Sequence, residues 1–352
     1  MILTLILCAI TAILIYYQVF TQGLFSSMIM AVLCLVSATV AFNYHEMLAP
    51  LLIDLGLGQF GPKGISLLGI FIITLLLLRE GTDRLIKGNM HFGQLIDRVA
   101  GACFALVSSL TITGMIALGL QSLPLPAKIF GFDRCGESLS SPDQDKKLLP
   151  YADNFVLGMM NRVSNHCFAG SSSFIQIHPD MLRELYINRI VPDNYDGMRK
   201  EAASDALEVI GDVEVVQTKA HDDNNKEDVD RKSRSELLLI KVKLKAGTGS
   251  RGNRGAKDID SMIRFSMGQF RLVGYNPAHP QKPAYSVYPI GLREEGNSTT
   301  IAKALNKGEC RSNKTATFSL VFNWPVNLNE APPQFLEFKR SSRVKVHMQK
   351  KK

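Results

Sequence analysis

The stretch DRVAGACFALVSSLTITGMIALGL, residues 97–120, decides how this chain is read. From Val99 to Leu120 it carries no charge. A helix rises about 1.5 Å per residue, so a run of this length crosses the roughly 30 Å of hydrocarbon in a bilayer. Asp97 suits the positive amino-terminal end of such a helix, and Arg98 has the reach to meet lipid phosphates. Leu-Pro-Leu-Pro from Leu123 to Pro126 closes the run.

Three more apolar runs precede it. Met1 to Tyr17 has no charge and lacks the basic n-region and small-residue cleavage site of a signal peptide, so it is read as a retained first span. Leu24 to Phe42 is a second uncharged run. Ile65 to Leu78 is only fourteen residues long. It spans if Gly61 to Gly64 joins the helix and Lys63 snorkels to the interface.

Averages hide this organisation. The 352 residues are 46% apolar and 20% charged, as in a globular protein. Yet basic and acidic residues balance up to Pro126, and the whole formal charge of +8 lies beyond it. The composition excludes a single soluble domain. It also argues against nucleic-acid binding, because the basic surplus is spread out apart from the last fourteen residues.

Orientation follows from Lys and Arg in short loops. Arg79, Arg84, Lys87 and Arg98 lie between the third and fourth runs, whereas only Lys63 lies between the second and third. The former segment is therefore expected in the cytoplasm. Four spans then place both termini outside, and a third run that does not cross puts the carboxy-terminal half in the cytoplasm instead. In the fourth run Gly101, Ala105 and Ser109 recur every four residues, a small-residue stripe that suits either an internal packing seam or a homo-oligomer contact. Ser108, Thr111 and Thr113 could line a polar path, although such hydroxyls commonly bond back to their own backbone. Asp54, among Pro50, Gly56, Gly58 and Gly61, is a carboxylate near membrane depth, or a solvated one on an interfacial segment.

Asp97-Arg98-Val99-Ala100-Gly101-Ala102-Cys103-Phe104 resembles the Asp-Arg-x-x-Gly-x-x-x-Gly signature of the colicin V production protein (CvpA) family. The order of apolar runs and the turn ending in Gln22-Gly23 are similar too. The resemblance covers about residues 1–125. The second glycine of the signature is Ala105 here, Gln22 stands where a basic residue is usual, and Ser26-Ser27 replaces an Arg-Glu pair. The resemblance implies a multi-pass bacterial inner-membrane protein associated with colicin V (toxin) production and envelope function. It supplies no reaction.

The carboxy-terminal half reads differently. Ala127 to Pro150 is polar, and Tyr151 to Lys200 mixes helical patterning with turns, with a short helix after Pro179 at Met181 to Arg189. Beyond Leu207 the period becomes two: Ile240, Val242 and Leu244 alternate with Lys241, Lys243 and Lys245. Similar runs at 262–273, 284–292, 315–322 and 343–347 suggest a β-sandwich, loosely similar to the immunoglobulin-like sandwiches of envelope proteins. The charged stretch His221 to Arg234 reads as a loop.

Several apparent motifs lack their context. Gly247-Thr248-Gly249-Ser250-Arg251-Gly252 fits G-x-G-x-x-G but has no following helix, so it reads as a hairpin loop. His178-Pro179-Asp180 resembles the tripeptide of J-domain co-chaperones without the basic helix that should precede it, and reads as a helix start. No histidine pairs with another His or Cys at ligand spacing. The acids between Asp222 and Asp230 lack the glycine and terminal glutamate of a calcium loop. Cys135 and Cys167 would be the pair in an oxidising compartment, leaving Cys310 over. The basic tail from Lys339 onward suits anionic headgroups or a solvated terminus.

The expected organisation is a helical membrane domain of four spans over 1–126, a mixed connecting region over 127–204 and a β-sandwich over 205–352. The expected function is a non-enzymatic membrane scaffold without cofactor or metal. Its expected partners are the lipid bilayer, an envelope protein and, through the fourth span, a second copy. The alternative is an oligomeric channel or transporter subunit for a small solute.

Overall fold

The computed structural model describes residues 2–52, 55, 57, 61–86, 93–126, 128–134, 146–165, 173–189, 205–216, 236–245, 263–265, 267–279, 282–294, 310–312 and 316–348. The chain forms two compact units, Met1–Cys167 and Phe168–Lys352.

The first unit contains α1 (Ile2–Tyr17), a π-helical turn (Gln18–Gln22), α2 (Gly23–Leu52), α3 (Pro62–Leu85), α4 (Gln94–Ser122) and α5 (Ala152–Asn165). Among the described residues, three helical stretches are long and apolar enough to cross a membrane: Ile2–Leu52, Pro62–Leu85 and Gln94–Ser122. The first of them reverses direction at Gly23, whose φ of 74° is open to glycine. The Ser27 hydroxyl donates to the Gln18 carbonyl at 3.4 Å. Nine residues of straight helix would hold them roughly 13 Å apart.

Contacts fix the directions. α1 runs against α4, since Leu7 packs with Ala117, Thr11 Oγ1 donates to Thr113 Oγ1 at 3.0 Å, and Ser108 Oγ donates to Gln18 Oε1 at 2.6 Å. α2 runs along α4 from Leu24, whose backbone lies beside Gly101. It runs against α3, with Glu46 near Lys63 at one end and Ser26 near Arg79 at the other. α4 is the central helix, and glycines let its neighbours approach. A Cβ on Gly119 would stand 2.5 Å from Leu68 Cδ1, and one on Gly114 2.6 Å from Val156 Cγ2 of α5. The fourteen-residue run expected from the sequence lies inside the longer α3, which takes in Lys63. Lys63 does not snorkel: it is buried, with Nζ 2.8 Å from Glu46 Oε1. A counter-ion on the neighbouring helix removes the need to reach water.

The second unit begins with α6 (Phe174–Ile177) and α7 (Met181–Ile187). Its strands are β1 (Leu207–Val209), β2 (Glu214–Val216), β3 (Glu236–Leu244), β4 (Ile263–Phe265), β5 (Phe270–Gly274), β6 (Tyr285–Val287), β7 (Pro289–Glu294), β8 (Cys310–Ser312), β9 (Ala316–Trp324), β10 (Pro333–Phe338) and β11 (Ser342–Lys345). One antiparallel sheet has the order β1-β3-β9-β7, with β2 also on β3. A second has the order β11-β10-β5-β6, and β4 pairs with β8. Alternate residues of both larger sheets share one core, among them Leu238, Ile240 and Val242 of β3, Leu320 and Phe322 of β9, Phe270 and Leu272 of β5, and Leu336 of β10. The segment Tyr285–Glu294 supplies β6 to one sheet and β7 to the other, bending at Tyr288. On the opposite side, Leu207 N–H donates to Ser342 Oγ at 3.1 Å and Val213 N–H to the His347 carbonyl at 2.8 Å. The far face of β5 and β10 is covered as well. Val273, Tyr275 and Phe335 form a small cluster there with Ile177 of α6.

Candidate functional site

Polar side chains gather at several places among the described residues, and three of them bear on function. The first is the start of α4. Asp97 occupies its first turn, where the helix dipole favours a carboxylate. The exposed Arg98 guanidinium lies 5.9 Å from the centre of the Phe20 ring, a cation–π contact with the π-helical turn. Gly101, Ala105 and Ser109 are all buried, with Gly101 against the Leu24 backbone of α2. Thr111 bonds back to the Val107 carbonyl at 2.8 Å, as membrane hydroxyls commonly do, while the single Ser108 hydroxyl proton is shared between Gln18 Oε1 at 2.6 Å and the Phe104 carbonyl at 3.0 Å. Buried hydroxyls on Ser37, Ser109 and Ser122 have no hydrogen-bond partner.

The second place is the far end of α4. There Arg134 Nη2 donates to Gln121 Oε1 at 3.1 Å and to Asp153 Oδ2, and Gln121 Nε2 also donates to Asp153 at 3.4 Å. Asp153 opens α5, whose buried residues Ala152, Val156 and Met160 recur every four positions. The spacing gives one helix face, and that face lies on Gly114. The pair is fully buried, so removing either member would strand a charge.

The third place lies in the second unit. Glu337 of β10 stands opposite Arg271 of β5 on one side and Arg343 of β11 on the other. Arg271 Nη2 donates to Glu337 Oε2 at 2.6 Å and Arg343 Nη2 to Glu337 Oε1 at 2.9 Å. From α7, Glu184 accepts from Arg271 Nη1 at 2.5 Å and from Arg340 Nε at 2.9 Å, and its Oε2 lies 2.7 Å from His178 Nδ1. Burial pushes the Glu184 carboxyl up, but Arg271, His178 and Arg340 outweigh it and hold the group well below the usual carboxylate range. Burial also disfavours the Arg271 cation, and Glu184 and Glu337 more than restore it. Tyr288, at the bend between β6 and β7, has a buried hydroxyl without a hydrogen-bond partner. Burial pushes its pKa far above the ordinary value. An unsatisfied buried hydroxyl costs about 1–3 kcal/mol.

Of the groups in the second and third places the sequence pointed to His178, through the His-Pro-Asp tripeptide, and to Lys339, Arg340 and Arg343 only as a basic tail. The structure corrects the tail, burying Lys339 and Arg340 and pairing Arg340 with Glu184 and Arg343 with Glu337, because the chain after Phe338 returns as β11 beside β10. Gln121, Arg134, Asp153, Glu184, Arg271, Tyr288 and Glu337 carried no local signal, because each acquires its partner from a distant segment. Asp54, Cys135, Cys167, the Gly247–Gly252 loop and the acids from Asp222 to Asp230 lie outside the described residues. Among the described residues, no group of three or more His, Cys, Asp or Glu is placed to hold a metal ion.

Residues 3–141 match the family model of the colicin V production protein. No curated protein and no solved structure matches the chain. The family match and the long apolar helices together make this a membrane protein with a β-sheet unit at its carboxy-terminal end.

Proposed function

We propose, from that family match over residues 3–141, that this chain is a multi-pass bacterial inner-membrane scaffold linked to colicin V production and envelope function, and that its β unit is an extracytoplasmic binding module. The observation that carries the topology is the reversal at Gly23. With α1 and α2 running in opposite directions along α4, Ile2–Leu52 makes two passes, and α3 and α4 make the third and fourth. Arg79, Arg84 and Arg98 then share one end of the bundle with Gly23, which is the cytoplasmic end by the positive-inside rule. At the opposite end Lys63 and Arg134 are each held in a buried ion pair, with Glu46 and Asp153. The two sheets around a common core support reading the second unit as a β-sandwich, the architecture of many envelope binding domains.

Membrane-impermeant maleimide tests the topology in intact cells, with the outer membrane permeabilised and with Cys8, Cys34 and Cys103 replaced. Labelling at Cys135, Cys167 or Cys310, after reduction, is expected. Labelling only after lysis puts the second unit in the cytoplasm and overturns the reading.

The alternative, a channel or transporter subunit, draws on the partnerless buried hydroxyls of Ser37, Ser109 and Ser122 inside the bundle. Deleting residues 168–352 separates the two. A scaffold acting through its β unit loses its cellular phenotype, and a transport function residing in the bundle keeps it.

A further inference from the structure

Beyond the helices, one more part of the first unit has the chemistry of a membrane contact. After α4 the chain forms a small layer from residues 128–134 and 146–151. Ile129 and Phe132 exchange backbone hydrogen bonds at 3.1 and 2.9 Å, and Lys146 N–H donates to the Arg134 carbonyl at 2.7 Å. Its underside is Ile129 and Leu148, packed on Leu3 and Leu7 of α1 and Ala117 of α4. Phe130, Leu149 and Tyr151 of the same two segments turn away from that support and are 58%, 45% and 48% exposed. Water offers no reason for three large apolar side chains to be displayed together on a buried support.

Backbone geometry makes the display more pointed. Phe130 has φ 45° and Tyr151 φ 62°, a left-handed conformation that non-glycine residues rarely adopt. Strain of this kind persists where the surroundings enforce it, and it concentrates at functional sites. Here both strained residues are the ones that turn aromatic rings outward. Lys128, Lys146 and Lys147 are exposed on the same layer, Lys128 with its Nζ 3.6 Å from Asp133 Oδ2 and so the least available of the three. Aromatic rings with lysines beside them are the composition of a segment lying at the headgroup boundary.

The depth agrees. Leu3 and Leu7, beneath the layer, belong to the first two turns of α1, and Ile2, Leu5 and Ile6 of those turns are exposed. A layer seated there lies within about 10 Å of the helix end, at 1.5 Å per residue.

We infer that residues 128–134 and 146–151 form an interfacial anchor that sets Phe130, Leu149 and Tyr151 into the acyl–headgroup boundary of an anionic bilayer, with the three lysines on the phosphates. The anchor stands independently of the scaffold reading, because it concerns a lipid contact rather than a protein partner.

The test uses the full chain in phosphatidylcholine–phosphatidylglycerol vesicles, with Phe130→Trp or Tyr151→Trp as reporters. Trp324, the single native tryptophan, is buried in the β core and serves as the reference emission. The anchor requires the added emission to be blue-shifted and quenched by acyl chains brominated near the headgroup, with little quenching by aqueous iodide. Red-shifted emission quenched by iodide and untouched by brominated lipid overturns it. A second variant separates anchoring from folding. Phe130→Gly relieves the strained φ, so a purely structural turn keeps the Tyr151→Trp emission unchanged, which counts against the anchor. An anchor instead lets that reporter move toward water in Phe130→Gly, and further with Leu149→Ser. Lys128→Gln with Lys146→Gln and Lys147→Gln should reduce quenching in anionic vesicles only. Equal quenching there rules out the headgroup role of the lysines.

Discussion

Two short helices in this molecule are held in place by different means. α5 lies on α4 through the absence of a side chain: Gly114 lets Ala152 and Val156 come into backbone contact, and one buried pair, Arg134 with Asp153, fixes the end. α7 meets its sheet through charge, with Glu184 shared among Arg271, Arg340 and His178. The contrast follows from the surroundings. Among apolar membrane helices there is no hydrophobic gain from association, so close steric fit does most of the holding. On a sheet face of β5, β10 and β11 that carries Arg271, Glu337 and Arg343, a helix can pack only if it brings the missing counter-charge. Steric docking is indifferent to protons, and ionic docking is not.

The contrast breaks most severely at Arg271. Arg271→Ala removes the buried cation that Glu184 and Glu337 share, leaving Arg340 and His178 to the first and Arg343 to the second. About 3–5 kcal/mol of stability should go, read by chemical denaturation through Trp324 fluorescence. Protonation attacks the same contact. The Glu184 carboxyl is depressed in the folded state, so its contribution is fully present above the ordinary value of 4.5 and is lost as pH falls below it. Protection of the α7 amides, relative to their intrinsic exchange rates, should therefore stay high at pH 5 and fall at more acidic pH, and in Glu184→Gln that acid dependence should vanish. An unchanged acid profile in Glu184→Gln would remove Glu184 from this role.

A smaller effect is expected in the bundle. Gly114→Ala forces α5 away from α4, an overpacking cost of about 1–3 kcal/mol, visible as a lower melting temperature in detergent. That loss should be the same at pH 5 and pH 7. The smallest effect sharpens the contrast from the other side. Arg84 and Glu80 form an exposed i,i+4 pair on α3, and Arg84→Ala should cost no more than about 0.5 kcal/mol.

Much of this fold was legible in residue order alone. The apolar runs are the helices, because lipid-facing and bundle-facing residues are both apolar there. The alternation of Leu238, Ile240 and Val242 with Leu239 and Lys241 is a strand with one buried face. The rest was hidden for one physical reason, that a counter-ion or a cover came from elsewhere in the chain. β10 lacks a clear polar alternation because both of its faces are buried. Arg271 and Glu337 look like solvent-facing residues until the other face of that sheet is covered. Lys63 looks like a snorkelling lysine until α2 brings Glu46 beside it. The α5 seat on Gly114 was equally invisible, since a glycine in a helix announces no partner. Phe130 and Tyr151 carried no signal either, because exposure and a positive φ are properties of the folded chain.

The helical turn at Gln18–Gln22 bears on how the protein crosses its membrane. α1 and α2 are joined with no intervening loop, and Ser27 ties the second helix to the carbonyl of Gln18 at the end of the first. If both helices cross the bilayer, as proposed above, they do so as one tied helical hairpin rather than as two segments separated by a loop. A β-branched residue at position 23, where φ is 74°, would strain the junction and loosen the Ser27–Gln18 contact that ties the two helices as a pair.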